Sequence, residues 1–397
     1  MLKKGVVLGL ILLMSASIAK AQTAFGEHLN TITTSVPFLI ISPDAKAGGM
    51  GDVGVAATPD AMSMHWNPAK YAFVEDNVGV AICYTPWLKS LIPDVDLSYL
   101  AGYTKRNDRE VFAYSLRYFS LGDIQFRDEN GNDLGKYNPN EFAISTAYAR
   151  KLSDNFSTAI SLRYIYSNLT GGQYVSTLQT KPGQSIAGDV SAFYKKEIRL
   201  GSQDFNWATG LNISNIGSKI AYTETATRDF IPTNMRFGSA LTTDLDDYNT
   251  LSFEVNINKL LVPTPPAYDD EGEIIAGMNP EVSPVSGIFQ SFGDAPGGAK
   301  EELREIIYSL GTEYWYDEQF AVRAGYFHEA PTKGDRQFFT LGAGVRYNVF
   351  GLDFSYLIPV RSRDEAGAVN PLSNTLRFAL TFDFGALEQQ AVIPSEG

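Results

Sequence analysis

Residues 156–166, FSTAISLRYIY, carry an apolar or aromatic side chain at every second position except Thr158. The first four intervening positions hold small or charged residues, Ser157, Ala159, Ser161 and Arg163. Because successive side chains of a β-strand point to opposite faces, one face of this stretch is apolar and the other is mainly small and polar. The pattern predicts a strand with one face toward lipid and the other toward a crowded interior.

The same alternation continues along most of the chain after residue 76 and predicts fourteen strands. Their expected bounds are 77–86, 95–105, 109–121, 141–151, 155–167, 186–196, 204–214, 234–244, 250–260, 304–315, 319–329, 336–348, 351–360 and 374–384. A soluble sandwich would expose a face rich in Lys, Glu and Thr, whereas the second face here holds many Gly, Ala and Ser residues. The fold class is therefore predicted to be all-β, as a 14-stranded antiparallel transmembrane β-barrel.

The links between the predicted strands alternate in length. Short links follow even-numbered strands, and the long insertions after odd-numbered strands are 122–140, 168–185, 215–233 and 261–303. Outer-membrane barrels have short periplasmic turns and long extracellular loops. We therefore expect an integral outer-membrane protein with both termini on the periplasmic side.

The N-terminus has the three parts of a secretory signal peptide. Lys3 and Lys4 precede the apolar run 6–18, which ends in Ala19-Lys20-Ala21. The run is shorter than the roughly 20 apolar residues that a membrane-spanning helix needs. The predicted organisation is a signal peptide at 1–21, an N-terminal segment at 22–75, the barrel at 76–385 and a periplasmic tail at 386–397.

Small side chains dominate residues 45–57. Thr58 and Pro59 predict the N-cap and first position of a short helix that ends at Asn67-Pro68. Small residues allow close contact with other backbone, so this part of the chain is predicted to fold into the lumen as a hatch. The predicted hatch residues are Gly48, Gly49, Gly51, Gly54, Trp66, Asn67 and Pro68. A periplasmic arm without a role is the alternative.

Patterns that would indicate catalysis or cofactor binding are weak. The run Gly49-x-Gly51-x-x-Gly54 has the spacing of a dinucleotide fingerprint, but Thr58-Pro59 follows it in place of a long helix, which favours a tight turn. The three histidines, His28, His65 and His328, are too scattered for a metal site. His328 is the best catalytic candidate, yet no Ser and acid pattern accompanies it. We expect no enzyme activity, cofactor or metal.

The overall charge and the single cysteine exclude further classes. The net charge of -13 argues against a nucleic-acid partner, because phosphate binding needs clustered Lys and Arg. Cys83 is the only cysteine, so an intramolecular disulfide cannot form. The position of Cys83 in the alternation of the first strand predicts that its side chain points inward, where it is small and unreactive.

The insertion 261–303 is the longest and combines proline, acidic and apolar residues. A solvating linker would not need apolar residues, although such a linker is the alternative interpretation. We predict an extended surface that offers a few apolar anchors to a partner. The candidate partner-binding residues are Pro265, Asp270, Ile274, Ile275, Ile288 and Phe289.

Three short runs near the N-terminus resemble a known family. Residues 37–45 (PFLIISPDA), 47–56 (AGGMGDVGVA) and 65–70 (HWNPAK), with Asp60-Ala61 between the last two, are similar to the N-terminal signature of the PorV (LptO) family. That family is similar in fold to the FadL fatty-acid transporters and serves the type IX secretion system. The resemblance implies three protein partners: a giant translocon barrel, the C-terminal signal domains of cargo, and the proteins of a surface attachment complex.

A FadL-like transporter of hydrophobic small molecules is the alternative function. Such a transporter needs a continuous apolar path. Strand parity instead turns several charges toward the lumen, namely Arg117, Arg163, Glu254, Glu313, Arg323, Arg346 and Asp353. A polar, plugged interior favours the secretion component over the transporter. We expect outer-membrane lipid to surround the barrel.

Overall fold

The computed structural model of the chain describes residues 29–92, 94–127, 131, 133–172, 174–175, 178–224, 228–362 and 369–385. The predicted signal peptide and the 386–397 tail lie outside these residues. Fourteen strands form the wall of the molecule. They are β1 Val78–Pro86, β2 Asp96–Asn107, β3 Glu110–Ser120, β4 Asn140–Lys151, β5 Phe156–Asn168, β6 Gly183–Leu200, β7 Gln203–Gly217, β8 Asn234–Asp244, β9 Asn249–Leu260, β10 Ile307–Tyr316, β11 Phe320–His328, β12 Gln337–Tyr347, β13 Phe350–Pro359 and β14 Leu376–Asp383.

The strands close into a single barrel. Each pairs antiparallel with its neighbours in the chain, and β1 pairs with β14, where Ile82 lies opposite Leu380. Closure removes the free strand edges that an open sheet would expose. The predicted 14-stranded antiparallel barrel is confirmed.

The alternation of side chains has the predicted direction. On β5, Ile160 and Leu162 are 62% and 58% exposed, whereas Ser157 and Ala159 are buried. All the charges predicted to face the lumen do so: five are buried, and Arg163 and Arg346 are half-buried. The outer surface is therefore a band of Leu, Ile, Val and aromatic side chains.

The connections also alternate as predicted. Those after even-numbered strands are short turns at one end of the barrel, and the long ones gather at the other, which we call the long-loop end. Several long connections contain structure of their own. The β3–β4 connection forms the hairpin Ile124–Arg127 with Asp133–Tyr137, and the β9–β10 connection contains the helices Pro284–Gln290 and Ala299–Arg304.

Residues 36–74, called the inner segment below, cross the interior of the barrel. The one-turn α-helix Ala45–Gly48 contacts β12, β13 and β14, and the 3-10 helix Pro68–Phe73 contacts β3 to β6 on the other side of the ring. Nearly every side chain between Ala45 and Val74 is buried. In the described parts of the chain, no helix is long and apolar enough to cross a membrane.

The helix predicted to start at Thr58-Pro59 starts later. It runs Ser63–Trp66, with Asn67 as its C-cap. Asp60 holds the preceding residues in a turn, because its carboxylate accepts a hydrogen bond of 3.0 Å from the Met62 amide. Asp60 also forms an ion pair of 3.1 Å with Lys46. The short polar side chain at this point therefore competes with helix formation.

The outward face of the strands generates a prediction. We expect Leu162→Arg and Val345→Arg to block stable insertion, because an arginine on the lipid face costs about 2 to 4 kcal/mol at the bilayer midplane. The matched control is Leu245→Arg, since Leu245 is 52% exposed but lies in the short turn between β8 and β9. Heat-modifiable gel mobility measures assembly. Normal mobility of both strand variants would show that this face does not meet lipid.

Candidate functional site

The glycines of the inner segment lie where it touches the barrel wall. A Cβ added at Gly49 would lie 2.9 Å from the Cα of Gly342, so the two backbones meet directly. Gly51 has a φ of +73°, which disfavours any side chain, and its amide donates a 2.8 Å hydrogen bond to Thr340 Oγ1. These contacts explain the small-residue pattern physically.

The other predicted hatch residues are also buried in the interior. Gly48 packs beside Ser355 and Arg377, and Gly54 packs on the Trp66 ring. The Trp66 indole donates a 2.9 Å hydrogen bond to Asp44. The structure thus brings these residues together against the barrel wall. That they seal the lumen is a proposal.

Asn67 and Pro68 shape the end of the inner segment. Asn67 Nδ2 donates to the carbonyls of Val55 and Ala192, at 3.1 and 3.0 Å, and its Oδ1 accepts from the Ala69 amide at 3.0 Å. The second of these bonds joins the segment to β6. Pro68 then begins the 3-10 helix, where its lack of an N–H costs nothing.

Charged groups connect the inner segment to the wall. Arg377 of β14 forms an ion pair of 2.7 Å with Asp52. Glu254 of β9 accepts a 2.9 Å hydrogen bond from the Ala56 amide. Arg117 of β3 donates to the carbonyls of Phe38 and Leu39 at 2.8 and 2.6 Å. Since an unpaired buried charge is very costly, these strand residues fix where the segment lies.

His65 lies at the centre of this arrangement. It is buried, its Nδ1 lies 2.7 Å from Arg117 Nη2, and its ring meets Trp66 edge-on. Burial and the nearby guanidinium groups of Arg117 and Arg236 hold the pKa of His65 well below its usual value. The neutral imidazole accepts a hydrogen bond from Arg117, so His65 has a structural role.

The remaining chemical candidates are not brought into a reactive arrangement. His328 Nδ1 lies 3.4 Å from the hydroxyl of Tyr326, and Cys83 is buried beside Met62. Within the ranges that the structure describes, no group of three or more His, Cys, Asp or Glu could hold a metal ion. The expectations of no catalysis, cofactor and metal remain predictions.

The long β9–β10 connection is folded, so the prediction of an extended surface is wrong. Its base is held by buried ion pairs that are distant in sequence. Lys259 pairs with Glu302 and Glu305 at 3.1 and 2.6 Å, and Lys333 pairs with Glu301 and Glu305 at 2.6 and 2.9 Å. Two lysines shared among three carboxylates anchor the connection to the barrel rim.

The candidate partner-binding residues lie within the connection that these ion pairs anchor, and Ile288 and Phe289 belong to its helix Pro284–Gln290. Phe289 and Ile275 are 75% and 65% exposed, and Ile274 and Asp270 are also exposed, whereas Pro265 and Ile288 are half-buried. Sequence reasoning missed Val285 and Phe292, which are 59% and 51% exposed. We call Val285, Phe289 and Phe292 the apolar ridge. Their spacing of four and then three residues is the signal that could have identified them.

These features define a class: a closed outer-membrane-type barrel whose interior contains part of its own N-terminal chain and whose long-loop end carries an ordered apolar surface. The family described as type IX secretion system protein PorV matches residues 24–267. The match covers more than half of the chain and includes the signature runs near the N-terminus. The chain belongs to the PorV family of type IX secretion system proteins.

Several solved barrels are similar to this chain at low identity. The toluene transporter TbuX of Ralstonia pickettii has 11% identity and a TM-score of 0.46, over 86% of this chain and 98% of that one. A FadL homologue of Pseudomonas aeruginosa has 10% identity and a TM-score of 0.42, over 89% and 99%. The toluene transporter TodX of Pseudomonas putida has 10% identity and a TM-score of 0.46, over 89% and 98%. No curated protein matches the chain.

The contact between the inner segment and β11 generates a second prediction. A Cβ at Gly325 would overlap the backbone of Met50 and Gly51, so Gly325→Leu should displace the segment while leaving the strand pairing intact. We expect a several-fold rise in the entry of a small hydrophilic dye into liposomes that contain the variant. Gly188→Leu is the control, since a Cβ there meets only the Ser161 carbonyl, at 3.2 Å. Unchanged dye entry through assembled Gly325→Leu would contradict a sealing contact.

A third prediction concerns pH. Because the pKa of His65 is lowered in the folded segment, the unfolded segment alone takes up a proton below pH about 6.5. The His65 contribution to local stability is therefore complete above that pH and decreases below it, and this contribution alone makes opening about tenfold easier per pH unit. Hydrogen exchange of the inner-segment amides, corrected for intrinsic rates, measures this.

His65→Asn provides the comparison for this prediction, since the Asn oxygen can replace Nδ1 as the acceptor for Arg117. Burial raises the pKa of Asp44 to about 6, which has the opposite sign: its contribution to stability is lost as pH rises from about 4 to about 6. The difference between the two proteins therefore isolates His65. Equal pH dependence in both would contradict the assignment.

Proposed function

We propose that this protein receives cargo at the long-loop end of its barrel, binds the C-terminal signal domain, and transfers the cargo from the translocon to a surface attachment complex. The apolar ridge carries this proposal. Three neighbouring large apolar side chains stand exposed on a connection that buried ion pairs hold in place. A rigid apolar surface of this kind is suited to recognising a folded partner.

Membership of the PorV family supports a role in the type IX system and agrees with an outer-membrane location. We infer that the short turns and both termini lie in the periplasm, because long connections of outer-membrane barrels face the cell exterior. The ridge then lies outside the cell, where emerging cargo first becomes accessible. The barrel in this proposal binds and positions its partners, and it catalyses no reaction.

The contents of the lumen argue against bulk transport of hydrophobic molecules. The wall contributes an ionic cluster in which Arg323 binds Glu313 at 2.6 Å and Asp353 at 2.8 Å. Arg377 of the neighbouring strand β14 ties the inner segment to the same side of the wall through Asp52. An apolar solute crossing the barrel would have to separate buried charges, which is costly. The folded interior therefore favours a scaffold over a conduit.

A fourth prediction tests the apolar ridge. The triple variant Val285→Ser/Phe289→Ser/Phe292→Ser should assemble normally, since these side chains are exposed. Its affinity for an isolated C-terminal signal domain should fall by at least about tenfold, because truncating central apolar anchors typically costs about 2 kcal/mol or more. The amount of cargo on the cell surface should fall in parallel.

The matched control is Leu245→Ser/Tyr248→Ser. These two residues are 52% and 59% exposed and lie in the short turn at the other end of the barrel. Heat-modifiable mobility verifies assembly of both variants. Normal affinity and normal surface cargo in the ridge variant would remove the ridge from the mechanism.

A further inference from the structure

A cavity lies inside the barrel near its long-loop end, between the inner segment and the surrounding strands. It is partly open to solvent. Ser42 of the inner segment, Asn258 of β9 and Trp87 of the β1–β2 connection all line it. The proposed recognition of cargo on the apolar ridge makes no use of this cavity.

One side of the cavity is apolar. Trp87, Phe338, Leu357 and Leu372 line it together with Ile41. These residues come from four separate connections or strands and from the inner segment, so the apolar lining is formed only in the closed barrel. This side fits an aliphatic or aromatic group.

The other side carries unbalanced positive charge. Arg377 is paired with Asp52 at 2.7 Å, and Arg336 is paired with Glu329 at 2.7 Å. Among the described residues, Arg236 has no carboxylate oxygen within the 4.0 Å of an ion pair. Its Nη1 donates to the His65 carbonyl at 3.1 Å, and its guanidinium stacks 5.4 Å from the Trp66 ring centroid.

Unused hydrogen-bonding atoms surround the same place. Ser42 Oγ, Asn258 Oδ1 and Arg377 Nε are buried and have no hydrogen-bond partner, and all three residues line the cavity. Native proteins satisfy the large majority of such buried polar atoms. A cluster of three beside an unneutralised arginine points to a ligand with several oxygen atoms.

We propose that this cavity binds an amphiphile with an anionic headgroup, whose phosphate or carboxylate oxygens lie on Arg236 and Arg377 and whose apolar part lies against Trp87 and Leu372. The headgroup neutralises Arg236 and accepts hydrogen bonds from Arg377 Nε and Ser42 Oγ. The Asn258 amide can offer its nitrogen or its oxygen to the headgroup after a half-turn. We expect the amphiphile to be bound and retained in the cavity. It does not pass across the membrane, because the ionic contacts of the inner segment obstruct the interior deeper in the barrel.

The test uses the full barrel in nonionic detergent and native mass spectrometry. The anionic probes are decyl phosphate and decanoate, and the comparison probes are decanol and decyltrimethylammonium. We expect a single bound molecule with one or both anionic probes and none with the other two. The phosphate and carboxylate arms identify which headgroup the site prefers.

Two variants and one control decide the assignment. Arg236→Gln should weaken binding of the preferred anionic probe by about tenfold or more, since a hydrogen bond to a charged group is lost. Leu372→Trp should weaken it by filling the apolar side, while leaving every charge in place. Arg346→Gln is the control, because Arg346 lies near the short-turn end. Asp353, its partner, still has its ion pair with Arg323 in this variant.

The results have definite meanings. The proposal is supported if binding is selective for anions, if Leu372→Trp weakens it and if Arg346→Gln leaves it unchanged. Weaker binding by assembled Arg236→Gln then confirms the headgroup position. Equal binding of decanol or the cation would overturn the proposal, as would the absence of binding by both anionic probes. So would anion binding that assembled Leu372→Trp leaves intact. None of these outcomes bears on cargo recognition, which is measured separately with the ridge variant.

Discussion

Arg377 and Asp52 form an ion pair of 2.7 Å inside the barrel, between the last strand and a segment that lies more than three hundred residues earlier in the chain. The alternation of a strand turns half of its side chains inward, and in this protein many of those are charged. A buried charge is tolerated only with a partner. The inner segment supplies such partners, so wall and segment depend on each other.

Other features of the interior follow from this dependence. Arg117 is satisfied by backbone carbonyls of the inner segment and by neutral His65, and Glu254 is satisfied by a backbone amide. The glycines at positions 49 and 342 allow the inner segment and β12 to approach each other backbone to backbone. With its middle occupied, the barrel offers binding surfaces mainly at its ends. The long-loop end carries both the apolar ridge and the cavity beside Arg236.

Much of the fold could be predicted because its determinants are local. A two-residue period over ten positions specifies a strand and its lipid-facing side, and Leu162 and Val345 follow that rule. The small residues at 48–54 likewise predicted close contact with other backbone. The helix start was wrong because Asp60, rather than Thr58, controls the local turn. Asp60 also pairs with Lys46, and this contact is not evident from the sequence.

The long β9–β10 connection shows where prediction from sequence ends. Its helix Pro284–Gln290 has a visible start, since Ser283 caps it and Pro284 is its first residue. Its anchoring could not be predicted, because Lys259 and Lys333 come from different strands and connections and meet Glu305 only after the barrel closes. The same holds for the cavity, whose lining residues are spread from Ile40 to Arg377.

The most direct test of whether the inner segment closes the lumen is the conductance of the unaltered protein in planar lipid bilayers. If the inner segment and the wall charges hold each other in place, insertion of the barrel should produce no sustained ionic current above that of the bare bilayer. A steady, ohmic current from each inserted barrel would contradict this picture. It would mean that the contacts between Asp52, Arg377 and their neighbours do not seal the interior.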